Sequence, residues 1–274
     1  MMNKCYYFPI LLLLLLSCKE NKSEVVIQKA VNTPRILSGN STVSINFDSV
    51  IVLNFGDYFS KIEIIPLEMA NKEKFYCSTP TYIVIVDGLW YSLKIGEKGY
   101  TIRQSPWPAK FFFDKNGHFI RGGIPGFPSE EDTISIPKSV TLNYNGKTVM
   151  SRTTLYEMNW DDRMKILLDN HYVFPVEILQ GNQFLCVVTE SMERTYLSFY
   201  NKKTNRTTTG IDLFSNGLIL PDTRVMKNGI LYGMVDPWFL NSAIDTCFMT
   251  DESKKRLSEI HTGDNAVIVK YYAK

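Results

Sequence analysis

Five dipeptides built from Asn, Asp and Gly punctuate the chain: Asp87-Gly88, Asn116-Gly117, Asn145-Gly146, Gly181-Asn182 and Asn228-Gly229. These residues tolerate the positive φ of tight two-residue hairpins, so each is a point where the backbone reverses between neighbouring antiparallel strands. The flanking residues agree. Tyr82–Val86 leads into the first signal and Leu89–Leu93 leads out; Lys110–Phe113 and His118–Ile120 surround the second. Phe184–Val188 follows the fourth, and Ile230–Met234 follows the fifth. A chain written as successive hairpins predicts an all-β sandwich, barrel or propeller over a parallel α/β fold. The spacing of the signals varies from 29 residues (87 to 116) to 47 (181 to 228), so no strict repeat fixes the architecture. Helical patterns are confined to 161–170 and 253–260, the second behind the acidic start Asp251-Glu252.

Composition narrows the function classes. The chain has 274 residues, of which 45% are hydrophobic and 13% aromatic, enough for a sizeable core. Its 30 basic and 28 acidic residues nearly cancel and form no basic stripe, which removes the electrostatic basis for nucleic-acid binding. Five cysteines, at 5, 18, 77, 186 and 247, include no C-x-x-C pair, so neither a cysteine-built metal site nor a thioredoxin-type motif is expected.

The N-terminus supplies a second strong signal. Lys4 precedes an apolar run from Tyr6 to Leu16 that is too short to remain as a membrane-spanning helix, and the run ends Leu15-Leu16-Ser17-Cys18. This resembles the lipobox of bacterial lipoproteins. Residues 1–17 therefore read as a signal peptide, Cys18 as the lipidated N-terminus of the mature protein, and the polar stretch 18–45 as a tether. Residues 46–274 remain for the folded domain. Acyl chains at Cys18 would make the membrane a partner, each buried methylene adding roughly 0.8 kcal/mol. The location expected is the outer membrane, on either its periplasmic or its extracellular face.

Three segments resemble the six-bladed β-propeller lipoproteins of Gram-negative gut-type bacteria: Phe59–Glu68 as an opening strand, Ala109–Arg121 as a blade hairpin, and Asp264–Tyr272 as a closing strand. The segment Gly122–Glu130 departs from that family's glycine-rich loop. The resemblance implies a β-propeller, to which the two helical patterns add one or two short helices. At about 40 to 45 residues per blade, 46–274 supplies about five blades against the family's six, so the expectation is five or six, with one trimmed or missing. Propeller geometry further predicts that Ile62–Leu67 pairs with Val267–Tyr271, hiding both edges in one shared sheet.

Residue types that carry chemistry are sparse. His118, His171 and His261 have no metal-ligand or triad spacing, and no P-loop, Gly-x-Ser-x-Gly or His-Glu-x-x-His motif occurs. Neither a catalytic residue, a metal ion nor a cofactor is expected. The acidic clusters Ser129–Asp132 and Asp161-Asp162 lack the alternating calcium-ligand pattern. Cys186 reads as core, leaving Cys77 with Cys247 as the one disulfide to test. Trp107, between two prolines, and Trp238, after Asp236-Pro237, are the ligand-binding candidates, each a flat indole held near a strand end. The reading is a cell-envelope lipoprotein whose propeller is a non-enzymatic binding module for a protein or glycan. The alternatives are a propeller-type glycan lyase or hydrolase and a structural subunit of an outer-membrane complex.

Overall fold

The computed structural model describes residues 41–68, 90–105, 110–123, 140–181 and 183–274, all within the unit Asn32–Lys274. The chain is mostly β, as expected. One four-stranded sheet is a consecutive antiparallel meander of β4 (Trp90–Ile95), β5 (Gly99–Ser105), β6 (Lys110–Asp114) and β7 (Phe119–Gly123). A second meander runs β10 (Tyr172–Gln180), β11 (Phe184–Glu190), β12 (Thr195–Asn201) and β13 (Arg206–Phe214). It is extended by β2 (Ile51–Leu53) on one side and β9 (Thr148–Val149) on the other, both parallel to their neighbours. The third sheet has the order β14 (Arg224–Lys227), β15 (Ile230–Val235), β16 (Val267–Ala273), β3 (Phe59–Pro66). A parallel pair, β1 (Ser41–Asn46) with β8 (Val140–Asn145), completes the set. The order of strands is open in every one of these sheets.

The predicted union of the two ends is present. β16 pairs antiparallel with β3, Val267 opposite Pro66 and Tyr271 opposite Ile62, so the C-terminal strand lies between β15 and β3. The outer edge of β3 is covered in turn. Met249 forms a parallel bridge with Ile62, and helix α5 (Asp251–Glu259) lies along the strand, with the Arg256 guanidinium donating to the Ile64 carbonyl at 3.3 Å. Covering an edge in this way removes a template for intermolecular pairing. The helix begins where its sequence says it should: the Thr250 side chain accepts from the Ser253 N–H, and Asp251 and Glu252 occupy the electropositive first turn.

Alternation along each strand builds the layers. On β11, Phe184, Cys186 and Val188 point into one core while Leu185 and Val187 point into another. On β16, Val267, Val269 and Tyr271 enter that same first core and Ile268 enters a third. The order is therefore meander β4–β7, core, sheet β14–β15–β16–β3, core, meander β10–β13, core. β11 and β16 are buried on both faces, which explains their near-continuous apolar sequences.

The turn signals divide. Asn228 (φ 53°) and Gly229 (φ 75°) both adopt positive φ and join β14 to β15 as a type I′ hairpin. Asn116-Gly117 joins β6 to β7, with Gly117 at φ 92°, and Gly181 leads from β10 into β11; Asp87-Gly88 and Asn182 lie outside the described residues. Asn145-Gly146 is not a hairpin. β8 pairs with β1 and β9 with β10, in different sheets. Gly146 still adopts positive φ (87°), and a Cβ there would also stand 2.4 Å from the Asp48 carboxylate. Two further expectations are corrected. The folded region includes residues 41–45, assigned above to the tether, because Val43 and Ile45 are wholly buried. Helices also exceed one or two: besides α5, the described residues contain α1 (Phe55–Tyr58), α2 (Arg152–Glu157), α3 (Trp160–Leu168), α4 (Leu240–Ala243) and two single 3₁₀ turns. Most of these are four to six residues long, below the length at which periodicity is legible.

Candidate functional site

Trp238 stands at the end of β15, where the chain leaves the sheet through Val235-Asp236-Pro237. The Asp236 carboxylate accepts from the Trp238 N–H at 2.9 Å, and Pro237 supplies the fixed φ of a first helical position, so the 3₁₀ turn Pro237–Phe239 is locked from both sides. Pro237 and Leu240 are buried beneath it, whereas Trp238 keeps 70% and Phe239 50% of its surface in solvent. Two adjacent large aromatics held rigid and outward are an anchor pair with little entropy left to lose on binding. Ser242 ties this tip to its surroundings: its hydroxyl donates to the Phe239 carbonyl, and its own carbonyl accepts from the Ile219 N–H. Ile219 bridges Leu213, and both are exposed as well. The apolar surface thus continues from the tip toward the end of β13.

A second concentration of chemistry lies where the β10–β13 meander faces β14. The Arg224 side chain, 4% exposed, donates through Nε to Glu177 at 3.0 Å and through Nη1 to the Pro221 carbonyl at 2.8 Å. Glu177 follows a register shift in β10 that turns its carboxylate toward Arg224. Burial raises the carboxyl of Glu177, opposed by the attraction of Arg224. Asp212 and Asp222 are raised in the same way, again with Arg224 opposing and Glu190 reinforcing. Four carboxylates thus share one buried guanidinium, and three of them are pushed toward the neutral acid. A carboxyl raised by burial keeps its proton to higher pH than a free one does, the direction a general acid requires. No group of three metal-ligating side chains occurs among the described residues.

The other sequence candidates fall into structural places. His118 bridges two carboxylates, Nδ1 at 3.1 Å from Asp114 and Nε2 at 3.6 Å from Glu68, clamping the β6–β7 turn to the end of β3. His171 and His261 are exposed. Asp161 and Asp162 occupy the first turn of α3, where Asp162 bonds Asn159 and Lys165. Cys186 is buried, and Cys247 is exposed. Cys18, Cys77, Trp107 and Ser129–Asp132 lie outside the described residues, as does most of Gly122–Glu130. Sequence reasoning missed the Glu177–Arg224 pair, because 47 residues separate the partners and neither belongs to a motif. The one legible hint was a glutamate interrupting an otherwise apolar strand.

No family model matches the chain, and no curated protein matches it. Among solved structures, a chain from Bacteroides fragilis NCTC 9343 whose description goes no further than a presumed export is similar over 85% of this chain and 100% of its own, at 9% sequence identity and a TM-score of 0.47.

Proposed function

We propose that this protein is an exported lipoprotein of the cell envelope whose propeller-type scaffold is a non-enzymatic binding module for a protein or glycan partner. The observation that carries the binding role is the rigid outward pair Trp238-Phe239 with the apolar surface that continues to Ile219 and Leu213. The envelope location rests on the signal-like N-terminus and the Cys18 lipobox. No described helix is long and apolar enough to cross a membrane; the assignment of attachment to the lipid rests on the lipobox alone. Two features support the propeller: the antiparallel four-stranded meanders, and the pairing of β3 with β16, the arrangement that a shared last blade requires. The test is a pull-down from detergent-solubilised membranes with the wild type and with Trp238→Ala/Phe239→Ala. A specific partner held by the first and lost by the second is expected, and equal recovery by both overturns the assignment of the surface. Cys18→Ala should release the protein from the membrane fraction; unchanged retention refutes the anchor.

A second reading, a glycan hydrolase or lyase, draws support from the raised carboxyls around Arg224. It requires that Glu177→Gln or Asp222→Asn abolish turnover of a polysaccharide while the fold is kept. An unchanged rate sinks it.

A further inference from the structure

Strand β16 alternates between two faces, and past Ile268 the face that points toward the β4–β7 meander turns polar. Lys270 stands in register with Tyr232 on one side and Glu63 on the other, and the next row places Tyr272 between Ile230 and Lys61. Tyr100 of β5 reaches across from the facing sheet, its ring centroid 6.2 Å from that of Tyr232. Three phenols, two ammonium groups and one carboxylate from four strands thus converge on the seam between two sheets, at the edge of the core formed by Ile65, Ile102 and Ile268.

Their mutual contacts are unequal. Glu63 is fully engaged: Lys61 Nζ donates to one carboxylate oxygen at 2.9 Å, and the Tyr272 hydroxyl donates to the other. Lys61 also lies 3.8 Å above the Tyr272 ring. Lys270 is left over. Half-buried, it has no hydrogen-bond or ion-pair partner among the described residues, and its closest support is the face of Tyr232, 6.0 Å from Nζ to the centroid. Burial holds its ammonium below the ordinary lysine range, despite the favourable pull of Glu63. Half-buried cations in folded proteins are normally paired, because desolvation is otherwise uncompensated. A cation with no ion-pair or hydrogen-bond partner among the described residues, set over one aromatic face, is arranged for an anion that arrives from outside.

We propose that this seam is a binding site for an anionic saccharide, with Lys270 taking the carboxylate or sulfate and the half-buried rings of Tyr232 and Tyr272 flanking the sugar. The preference for a sugar over a simple anion comes from the walls. Aromatic faces stack against the C–H faces of a pyranose, and the hydrogen-bonded Tyr272–Glu63–Lys61 array sets polar groups beside them. The proposal deepens the binding reading above and rests on it in assuming binding without turnover, but it is independent of Trp238.

The test is calorimetric titration of the full chain in detergent with four probes: an oligogalacturonate, its neutral methyl ester, a sulfated chondroitin oligosaccharide and sodium sulfate. Binding of one acidic oligosaccharide, with the ester and free sulfate much weaker, is expected, and which one binds separates carboxylate from sulfate recognition. Lys270→Met should weaken it about tenfold or more, as loss of a charged hydrogen bond does, and Lys270→Arg should retain most of it. Thermal melting supplies an independent readout: removing an uncompensated charge should leave Lys270→Met at least as stable as wild type, whereas a purely structural Lys270 would melt lower on substitution. The pull-down with Trp238→Ala/Phe239→Ala and the titration with Lys270→Met are separate assays on separate surfaces, so loss of a partner in the first and loss of saccharide in the second are separable results. Equal binding of ester and acid, no binding of either acidic oligosaccharide, binding of sulfate as tight as that of the sugars, or an unaffected Lys270→Met overturns the proposal.

Discussion

Replacing Arg224 by methionine isolates the most consequential buried charge in the described structure. The side chain is 4% exposed and holds two hydrogen bonds, to Glu177 at 3.0 Å and to the Pro221 carbonyl at 2.8 Å. Methionine fills most of the volume, so the loss is electrostatic. Glu177 would be left near Glu190 without Arg224, the cation that offsets its burial. Breaking a buried pair from one side costs about 3–5 kcal/mol. Glu177 retains 27% exposure, so water relieves part of the penalty and the lower end applies, about 3 kcal/mol. For a domain of this size, where 1 kcal/mol shifts Tm by about 2–4 °C, the variant should melt roughly 6–12 °C below wild type at pH 7. The pH dependence follows from the same cause. Arg224 holds down the carboxyls of Glu177, Asp212 and Asp222 against burial, so without it they rise further and take up protons at higher pH. Below their ordinary range these groups are neutral in the folded and unfolded chains alike, and the deficit should shrink on acidification toward pH 4. The double variant Arg224→Met/Glu177→Leu should recover most of the loss, since a packed apolar pair replaces the ion pair at little cost. Urea denaturation of wild type, both single variants and the double variant completes the cycle. A single-variant loss under about 1 kcal/mol, or one that does not change with pH, would refute the view of Arg224 as the shared counter-ion of this cluster.

Two further perturbations address the fold and its titration. Deleting residues 264–274 removes Val267, Ile268, Val269 and Tyr271, all wholly buried; at about 1.5–3 kcal/mol each the loss is roughly 6–12 kcal/mol, comparable with the whole stability of a domain, so cooperative unfolding should vanish, and an intact melting transition would contradict the central place given to β16. In Asp212, burial raises the carboxyl, so its contribution to stability is present at low pH and lost as pH rises through the raised value. Asp212→Asn should therefore be more stable than wild type near pH 7, with the advantage fading toward pH 4; melts at the two pH values decide, and an advantage of equal size at both would show that the charge is not the cause.

Local chemistry was enough to place what depends on a few consecutive residues. Asn228-Gly229 specifies its hairpin because both positions need positive φ, and Thr250 with Asp251 and Glu252 starts α5 because a side-chain acceptor and negative charge satisfy the free N–H groups of a first turn. The runs of Ile, Val, Phe and Tyr in β3 and β16 also made them strands, and the need to hide two edges suggested that they pair. Asn145-Gly146 shows the limit: the same dipeptide type serves a close approach to Asp48, a neighbour almost a hundred residues away, and nothing in the local sequence distinguishes that from a hairpin. Charge placement was likewise decided only by the tertiary structure. Lys270 follows three apolar residues on β16 and reads as an ordinary outward lysine. The cross-strand register sets it between Tyr232 and Glu63, and the prior engagement of Glu63 by Lys61 and Tyr272 leaves it without a hydrogen-bond or ion-pair partner among the described residues. Hydrophobic alternation is written along one strand, but the desolvation and pairing of a charge depend on every strand packed around it.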